Sequence, residues 1–430
     1  MTIAVLSFAG LLLLLFARVP IAFAMGVVGF IGFGLLVSWL GSLTMVGRQA
    51  FDTATAYDLS VIPLFILMGN FVTRAGLSEE LYKAAYSWIG HRRGGLAMAT
   101  ILSCAGFAAV CGSSLATAAT MAKVTMPPMR KFGYADSLAT GSIAAGGTLG
   151  ILIPPSVILA VYGILTSTDI GVLFVAGVLP GLLGALLYIT AIMATTRIWP
   201  HLGPPGERTS WPERLRTLGR VWGILALFLL VMGGIYLGLF TPTEAAGVGA
   251  SGAFLFALSR GRMNRRELMD VLVDSTKTSA MIFFVIVGAN IFSNLINESG
   301  LPETMASWVI GLDISPLSIV AVIMIIYVIL GCFLESMSMI LLTVPLFFPM
   351  IVKLGFDPIW FGIIVVVVTE ISLITPPIGM NIFVLNTVLP DVRTGTIFRG
   401  VLPFVAIDVV RLLILVLFPA IVLYLPSLMR

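Results

Sequence analysis

Two kinds of residue in this chain are placed to do chemistry: hydroxyls beside breaks in the backbone, and carboxylates stranded in apolar surroundings. Ser113 and Ser114 follow Gly112 in the middle of one apolar run, and Ser336 follows Glu335 in another. Thr148 lies within Gly146-Gly147-Thr148-Leu149-Gly150-Ile151-Leu152-Ile153-Pro154-Pro155. Thr375 lies within Thr369-Glu370-Ile371-Ser372-Leu373-Ile374-Thr375-Pro376-Pro377-Ile378-Gly379-Met380-Asn381. Proline removes an amide hydrogen, and its ring displaces the carbonyl four residues back. Carbonyls freed inside an apolar segment need a partner, and a small cation with oxygen ligands supplies one. The five hydroxyls would complete such a site. A kink packed against its neighbours is the plain alternative for one break, but two breaks, each paired with a polar tip, favour the site.

The carboxylates are few. Glu335 lies at a tip and Glu370 just before a break, where either could bind substrate, contact a cation, carry a proton or form a structural pair. Asp408 and Arg411, spaced i, i+3, are expected to satisfy one another, and Glu244 to cap the helix that starts after Thr241-Pro242. Asn70 and Asn294 read as bridges between helices. Enzyme chemistry is excluded on the residues. Gly249-Ala250-Ser251-Gly252 imitates an intramembrane serine motif, but His91 and His201, the only two histidines, both sit in polar stretches, so no base is at hand. No His-Glu-x-x-His, Gly-x-Gly-Asp or Gly-x-x-x-x-Gly-Lys-Ser/Thr pattern occurs. Cys104, Cys111 and Cys332 lie in apolar runs without metal-site spacing and read as packing thiols, so no transition metal is expected.

The elements that hold these residues are membrane helices. Of 430 residues, 59% are hydrophobic and 10% charged, with a mean hydropathy of +1.10; soluble chains carry about 25% charged residues. Apolar segments near 2–17, 20–40, 58–73, 95–128, 135–165, 171–196, 221–240, 243–259, 277–297, 316–350, 358–388 and 400–425 imply an all-α, polytopic membrane protein. The net charge of +4 gives no footprint for nucleic acid. The first run has neither a basic leader nor a cleavage site and reads as a retained helix. Basic clusters at 197–220, 260–266, 92–93 and 130–131 mark the cytoplasmic side. Segment 95–128 has basic residues at both ends and Cys111-Gly112-Ser113-Ser114 at its centre, so it reads as a re-entrant hairpin, two short full crossings being the alternative.

The sequence also repeats itself. Asn70-Phe-Val-Thr-Arg-Ala-Gly76-Leu77-Ser-Glu79 resembles Asn294-Leu-Ile-Asn-Glu-Ser-Gly300-Leu301-Pro-Glu303 at an offset of 224. At an offset of 222, Pro127 matches Pro349, Pro154-Pro155 matches Pro376-Pro377, and Asp169 matches Asp391. The offset predicts a second hairpin with arms near 316–332 and 337–350 and its tip at Phe333-Leu334-Glu335-Ser336, flanked by Asp313 and Lys353. Arg393 and Arg399 put the loop after the second Pro-Pro on the opposite side from its mate at Asp169, so the halves are inverted. Inverted repeats with two re-entrant hairpins and two broken helices belong to secondary transporters; a channel would need a continuous polar lining. The expected organisation is scaffold helices in 1–73, a first repeat in 74–196, a basic loop with further scaffold helices in 197–298, and a second repeat in 299–430. Arg74, Glu79, Glu80 and Lys83 mark an amphipathic arm whose mate is 302–312.

On these residues the chain resembles the large membrane subunit of the tripartite ATP-independent periplasmic (TRAP) transporters over nearly its whole length. The most specific stretches are 112–129, 146–156, 238–247 and 374–381. The resemblance implies an elevator-type, sodium-coupled importer of organic acids in a bacterial inner membrane, with no cofactor. It implies two protein partners, a small four-helix membrane subunit and a soluble periplasmic substrate-binding protein, besides membrane lipid. No four-helix module precedes position 1, so the unfused form is expected. One sodium site is expected from Ser113, Ser114 and the backbone of Gly147, Thr148, Gly150 and Pro154. The other is expected from Ser336, Thr375, Gly379 and Met380, with Ser114, Glu335, Glu370 and Asn381 as substrate contacts. A proton-coupled organic anion transporter and a channel-like scaffold are the alternative functions. Which organic acid is carried is not written in these residues.

Overall fold

The computed structural model describes residues 2–311 and 314–429, and its described residues form helices without strands; Asp313 falls outside them. The chain begins with α1 (Thr2–Phe16), α2 (Ile21–Leu36), α3 (Trp39–Thr55) and α4 (Val61–Arg74). The arm α5 (Leu77–Ile89) leads to α6 (Gly95–Cys111), α7 (Ser114–Lys131), α8 (Asp136–Thr148), α9 (Val157–Thr166) and α10 (Ile170–Ile198). A middle section holds α11 (Trp211–Arg220), α12 (Trp222–Tyr236), α13 (Pro242–Ser259) and α14 (Arg265–Glu298). Then come α15 (Leu301–Gly311), α16 (Pro316–Gly331), α17 (Ser336–Lys353), α18 (Pro358–Ile374), α19 (Met380–Val388), α20 (Thr394–Leu417) and α21 (Ala420–Ser427). Helices α4 to α10 and α14 to α20 run in the same order, with 17 and 18 residues in α6 and α7 against 16 and 18 in α16 and α17.

Three segments depart from the sequence reading. Residues 41–57, which fall between two of the apolar segments, are mostly helix α3, whose start is capped by Ser38 Oγ accepting from Gly41 N–H at 3.0 Å. The loop 197–220 contains α11, which docks on the arm through Ser87 Oγ and Thr217 Oγ1 (2.8 Å) and an edge-to-face contact of Trp88 with Trp211. The last apolar run starts earlier, at Thr394, and is interrupted before Pro419. Only α10, α14, α17 and α20 are, among the described residues, single helices long and apolar enough to cross a membrane. Much of the remaining apolar chain lies in helices of 10–17 residues, as broken spans require.

The longest helix, α14, has 34 residues, which at 1.5 Å per residue is roughly 50 Å. It lies against α2 at a crossing that only glycine allows: a Cβ on Gly29 would come within 2.8 Å of the α14 backbone at Ile291 and Phe292. Arg260 reaches Glu80 at 2.7 Å and so ties the arm to the loop before α14. Lys83 Nζ, 2.6 Å from Glu79 on the arm, holds that carboxyl below its usual range. Elsewhere the two repeats interlock. Tyr162 donates to the Pro358 carbonyl at 2.7 Å, and Arg130 at the end of α7 meets both Asp136 (3.1 Å) and Asp391 (2.6 Å). Outward-facing Leu13, Phe16, Leu229 and Leu255 leave an exterior suited to hydrocarbon.

Candidate functional site

Helix α6 stops at Gly112, whose φ of 65° is the left-handed turn that favours glycine. The turn brings Ser113 to the start of α7, where its Oγ accepts from Ala116 N–H and its carbonyl accepts from Thr117 Oγ1 at 2.7 Å. This tip rests on the first break. A Cβ on Gly112 would lie 2.9 Å from the Pro155 carbonyl, and one on Gly150 would lie 2.7 Å from the Ser113 carbonyl. The break itself is a short 3-10 turn, Leu149–Ile151, followed by Pro154-Pro155 in cis. Ser156 restarts the helix, its Oγ donating to the Ile151 carbonyl and accepting from Leu159 N–H.

The second repeat builds a similar contact from different side chains. Glu335, the repeat mate of Ser113, caps α17: its Oε2 accepts from Met337 N–H at 3.1 Å and Ser338 N–H at 3.3 Å. Cys332 Sγ points at the Pro376 carbonyl (3.4 Å), and Gly331 packs against Ser372. Pro376-Pro377 is also cis, and Gly379, at φ 62°, turns the chain into α19. Thr375 Oγ1 donates to the Ile371 carbonyl.

Beside the first tip, a further side chain joins the halves. Asn381, at the start of α19, accepts from Ser114 Oγ at 3.0 Å and donates to the Ala144 carbonyl at 3.1 Å. First tip, α8 and second broken helix therefore meet on one buried amide.

Ser113, Ser114, Glu335 and Ser336 line a single cavity of about 340 Å³ that is also lined by Asn70 of α4 and Thr278 of α14. Of the further cavities along α14, two bear polar walls. One of about 770 Å³ shares Asn70 with the first and is walled by Arg74, Lys123, Arg262, Glu267 and Asp274. The other, about 380 Å³, lies toward the opposite end of α14, against Asn290, Ser293 and Asn297.

Other candidates are placed elsewhere. Glu370 does not line the cavity; it is fully buried and paired with Arg411 at 2.5 Å, against the expectation that it contacts substrate. Arg411 also meets Asp408 (3.0 Å), as the i, i+3 spacing predicts, but shares itself between two carboxylates. Thr148 turns away from the tip: its Oγ1 donates to the Ala145 carbonyl and lies 3.2 Å from Tyr188 OH. Gly147 serves close packing, since a Cβ there would meet Ala118 at 2.8 Å. Pro154 is part of the break wall, and Met380 opens α19 beside Asn381. Asn70 does bridge helices, donating to Ser275 Oγ at 2.8 Å. Asn294 instead donates within α14 to the Asn290 carbonyl, because a long helix offers its own carbonyls to a short amide. Thr241 and Glu244 form the expected capping box. The three cysteines are buried and free. Tyr188 and the capping role of Glu335 were not anticipated; the N-cap position right after a predicted tip was the signal for the latter.

A family model described as "Tripartite ATP-independent periplasmic transporter, DctM component" matches residues 8–421. The C4-dicarboxylate TRAP transporter large permease protein DctM of Pseudomonas aeruginosa is 40% identical over 388 residues, covering 90% of each chain. The isethionate TRAP transporter permease protein DctMQ of Oleidesulfovibrio alaskensis is 34% identical over 425 residues, 95% of this chain and 64% of that one. Among solved structures, the YdaH transporter of Alcanivorax borkumensis superposes with a TM-score of 0.61 at 16% identity, covering 89% of each chain, which is likeness of fold alone.

Proposed function

The chain belongs to the DctM-component family of TRAP transporters, a multi-pass membrane permease and not an enzyme, and from that premise we propose that it imports organic acids by sodium symport. In this reading the α6–α7 and α16–α17 pairs are re-entrant hairpins entering from opposite faces of a bacterial inner membrane. The solute binds between their tips, in the cavity shared by Ser113, Ser114, Glu335 and Ser336. One sodium is held between the first tip and the 147–154 backbone, the other near Ser336 and the 375–380 backbone. The observation that carries the reading is the single cavity that both tips line, with each tip packed on its own broken helix. Chemistry explains the need for the cation. Two carboxylates about 4 Å apart repel by roughly 4 kcal/mol at an effective dielectric near 20, so an anionic solute beside Glu335 calls for sodium with it. Cation and solute then reinforce one another by one reciprocal coupling energy.

The same arrangement supports elevator motion, in which the two interlocked repeats slide as a body along α14, with the N-terminal helices and the α12–α13 pair as scaffold. The named relatives transport C4-dicarboxylate and isethionate; both solutes are acids, which supports an anionic solute here. One relative is named as a DctMQ permease, which supports a small membrane component as a partner of this permease, and a periplasmic binding protein completes the tripartite assembly. The test is uptake by the chain reconstituted with both partners, using the acid that most raises the thermal midpoint of the binding protein. Uptake must stop without a sodium gradient; full uptake on a proton gradient alone overturns the sodium assignment and favours proton coupling. Exchanging Glu335→Gln should weaken the mutual reinforcement of sodium and solute.

A further inference from the structure

Away from the tips, the two repeats meet around a charge cluster that the transport site does not use. The ionisable groups facing one another there are Glu370 from α18, Asp408 and Arg411 from α20 and Tyr188 from α10, with Thr148 of α8 behind the tyrosine. Glu370, Asp408 and Arg411 are each 0% exposed. Two carboxylates and one guanidinium leave one negative charge in a place water does not reach, and a lone buried charge is strongly disfavoured.

We propose that this cluster binds one proton, carried on Oε1 of Glu370, so that the interlocked body is neutral here. The contact geometry selects the atom. Asp408 accepts from the Tyr188 hydroxyl on Oδ2 at 2.6 Å, and its Oδ1, although without an aligned hydrogen bond, lies 3.0 Å from the charged Arg411 Nη2, so a proton there would sit against a cation and Asp408 stays ionised. Glu370 has Arg411 Nη2 on Oε2, while Oε1 is buried and faces no donor among the described residues. A proton on Oε1 therefore breaks no existing hydrogen bond. Gly184 leaves the space that the guanidinium fills, and Arg411 lies 5.7 Å over the Tyr188 ring, so the cation is held in place from a second side. A neutral cluster also means that these buried groups add no charge of their own when the body moves across a membrane potential.

The direct test is infrared spectroscopy of the full-length protein in lipid, comparing neutral with alkaline pH. The expected result is a buried carboxylic-acid C=O band at neutral pH that disappears on alkalinisation. The band should be absent in Glu370→Gln, which imitates the protonated form. It should also be absent in Asp408→Asn, where Glu370 becomes the sole counter-ion of Arg411 and gives up its proton. Glu370→Gln should fold and lose any alkaline destabilisation seen in the wild type. It should transport within about threefold of the wild type, the margin of one altered hydrogen bond. The double variant, which strands Arg411, should fold poorly. A wild type without the band, a band that survives in Glu370→Gln, or a Glu370→Gln protein that does not fold overturns the proposal. Only the transport comparison rests on the function proposed above; if no acid is transported by the wild type, that reading fails and the spectroscopic result still decides this one.

Discussion

Gly150→Ala is the sharpest probe of the contact between the first tip and its broken helix. The new methyl would sit 2.7 Å from the Ser113 carbonyl oxygen, 2.9 Å from its carbon and 2.9 Å from Thr117 Oγ1. Ordinary contact begins near 3.4 Å, so tip and break must part by about 0.7 Å. Neither side can rotate clear, because the nearest atoms are backbone and a hydroxyl already bonded to that backbone. Overpacking of this kind costs about 1–3 kcal/mol. If that cost falls on closing the cation site, sodium affinity drops by about 5- to 150-fold at 1.4 kcal/mol per decade. The assay is the sodium dependence of uptake by the reconstituted protein, with the thermal midpoint measured in parallel. Gly247→Ala is the control, since nothing lies within 4 Å of its Cβ. An unchanged sodium midpoint in Gly150→Ala, with full uptake, refutes the claim that this packing shapes the site.

Three further outcomes are expected. Arg411→Ala alone leaves two buried carboxylates facing each other and should cost about 3–5 kcal/mol, read as loss of folded protein in detergent. A double-mutant cycle of Ser114→Ala with Asn381→Ala should return a coupling of about 0.5–1.5 kcal/mol; zero coupling would mean that the bond between the repeats does not contribute. Lys83→Met should remove the acid-side sensitivity of the arm: Glu79 is held below its usual range, so the pair stabilises above the unfolded carboxyl value and is lost as pH falls through the folded one. Both side chains are half exposed, so the change in stability at neutral pH should stay near 0.3–0.5 kcal/mol.

How much of this was legible beforehand depends on the range of the signal. The repeat was readable because prolines and glycines cannot be exchanged freely at a break, so Pro154-Pro155 and Pro376-Pro377 mark both copies at one offset. The tips were readable for the same reason, from Gly112 and from the polar pair at 335–336. Helix α3 was not, because Arg48, Gln49 and Asp52 interrupt its apolar run, although its amphipathic face packs on α2 and α14. Glu370 was misassigned because its partner lies 41 residues away on another helix, and nothing in the local pattern distinguishes a paired buried carboxylate from a ligand. Thr148 failed similarly: its residue type suits a cation, but helix phase turns it toward Tyr188.

The amide of Asn381 has a consequence for biogenesis. Its partner Ser114 precedes it by 267 residues, and a ribosome adding about 5–20 residues per second needs roughly 13–53 s to span that interval. During that time the first hairpin is already made, yet Ser114, the Ala144 carbonyl and Tyr188 lack their second-repeat partners Asn381 and Asp408, and Arg130 holds Asp136 but not Asp391. The nascent first half must therefore wait with polar groups uncovered in or beside the lipid. Truncated chains ending before the second Pro-Pro should consequently be the species most exposed to membrane-protein quality control.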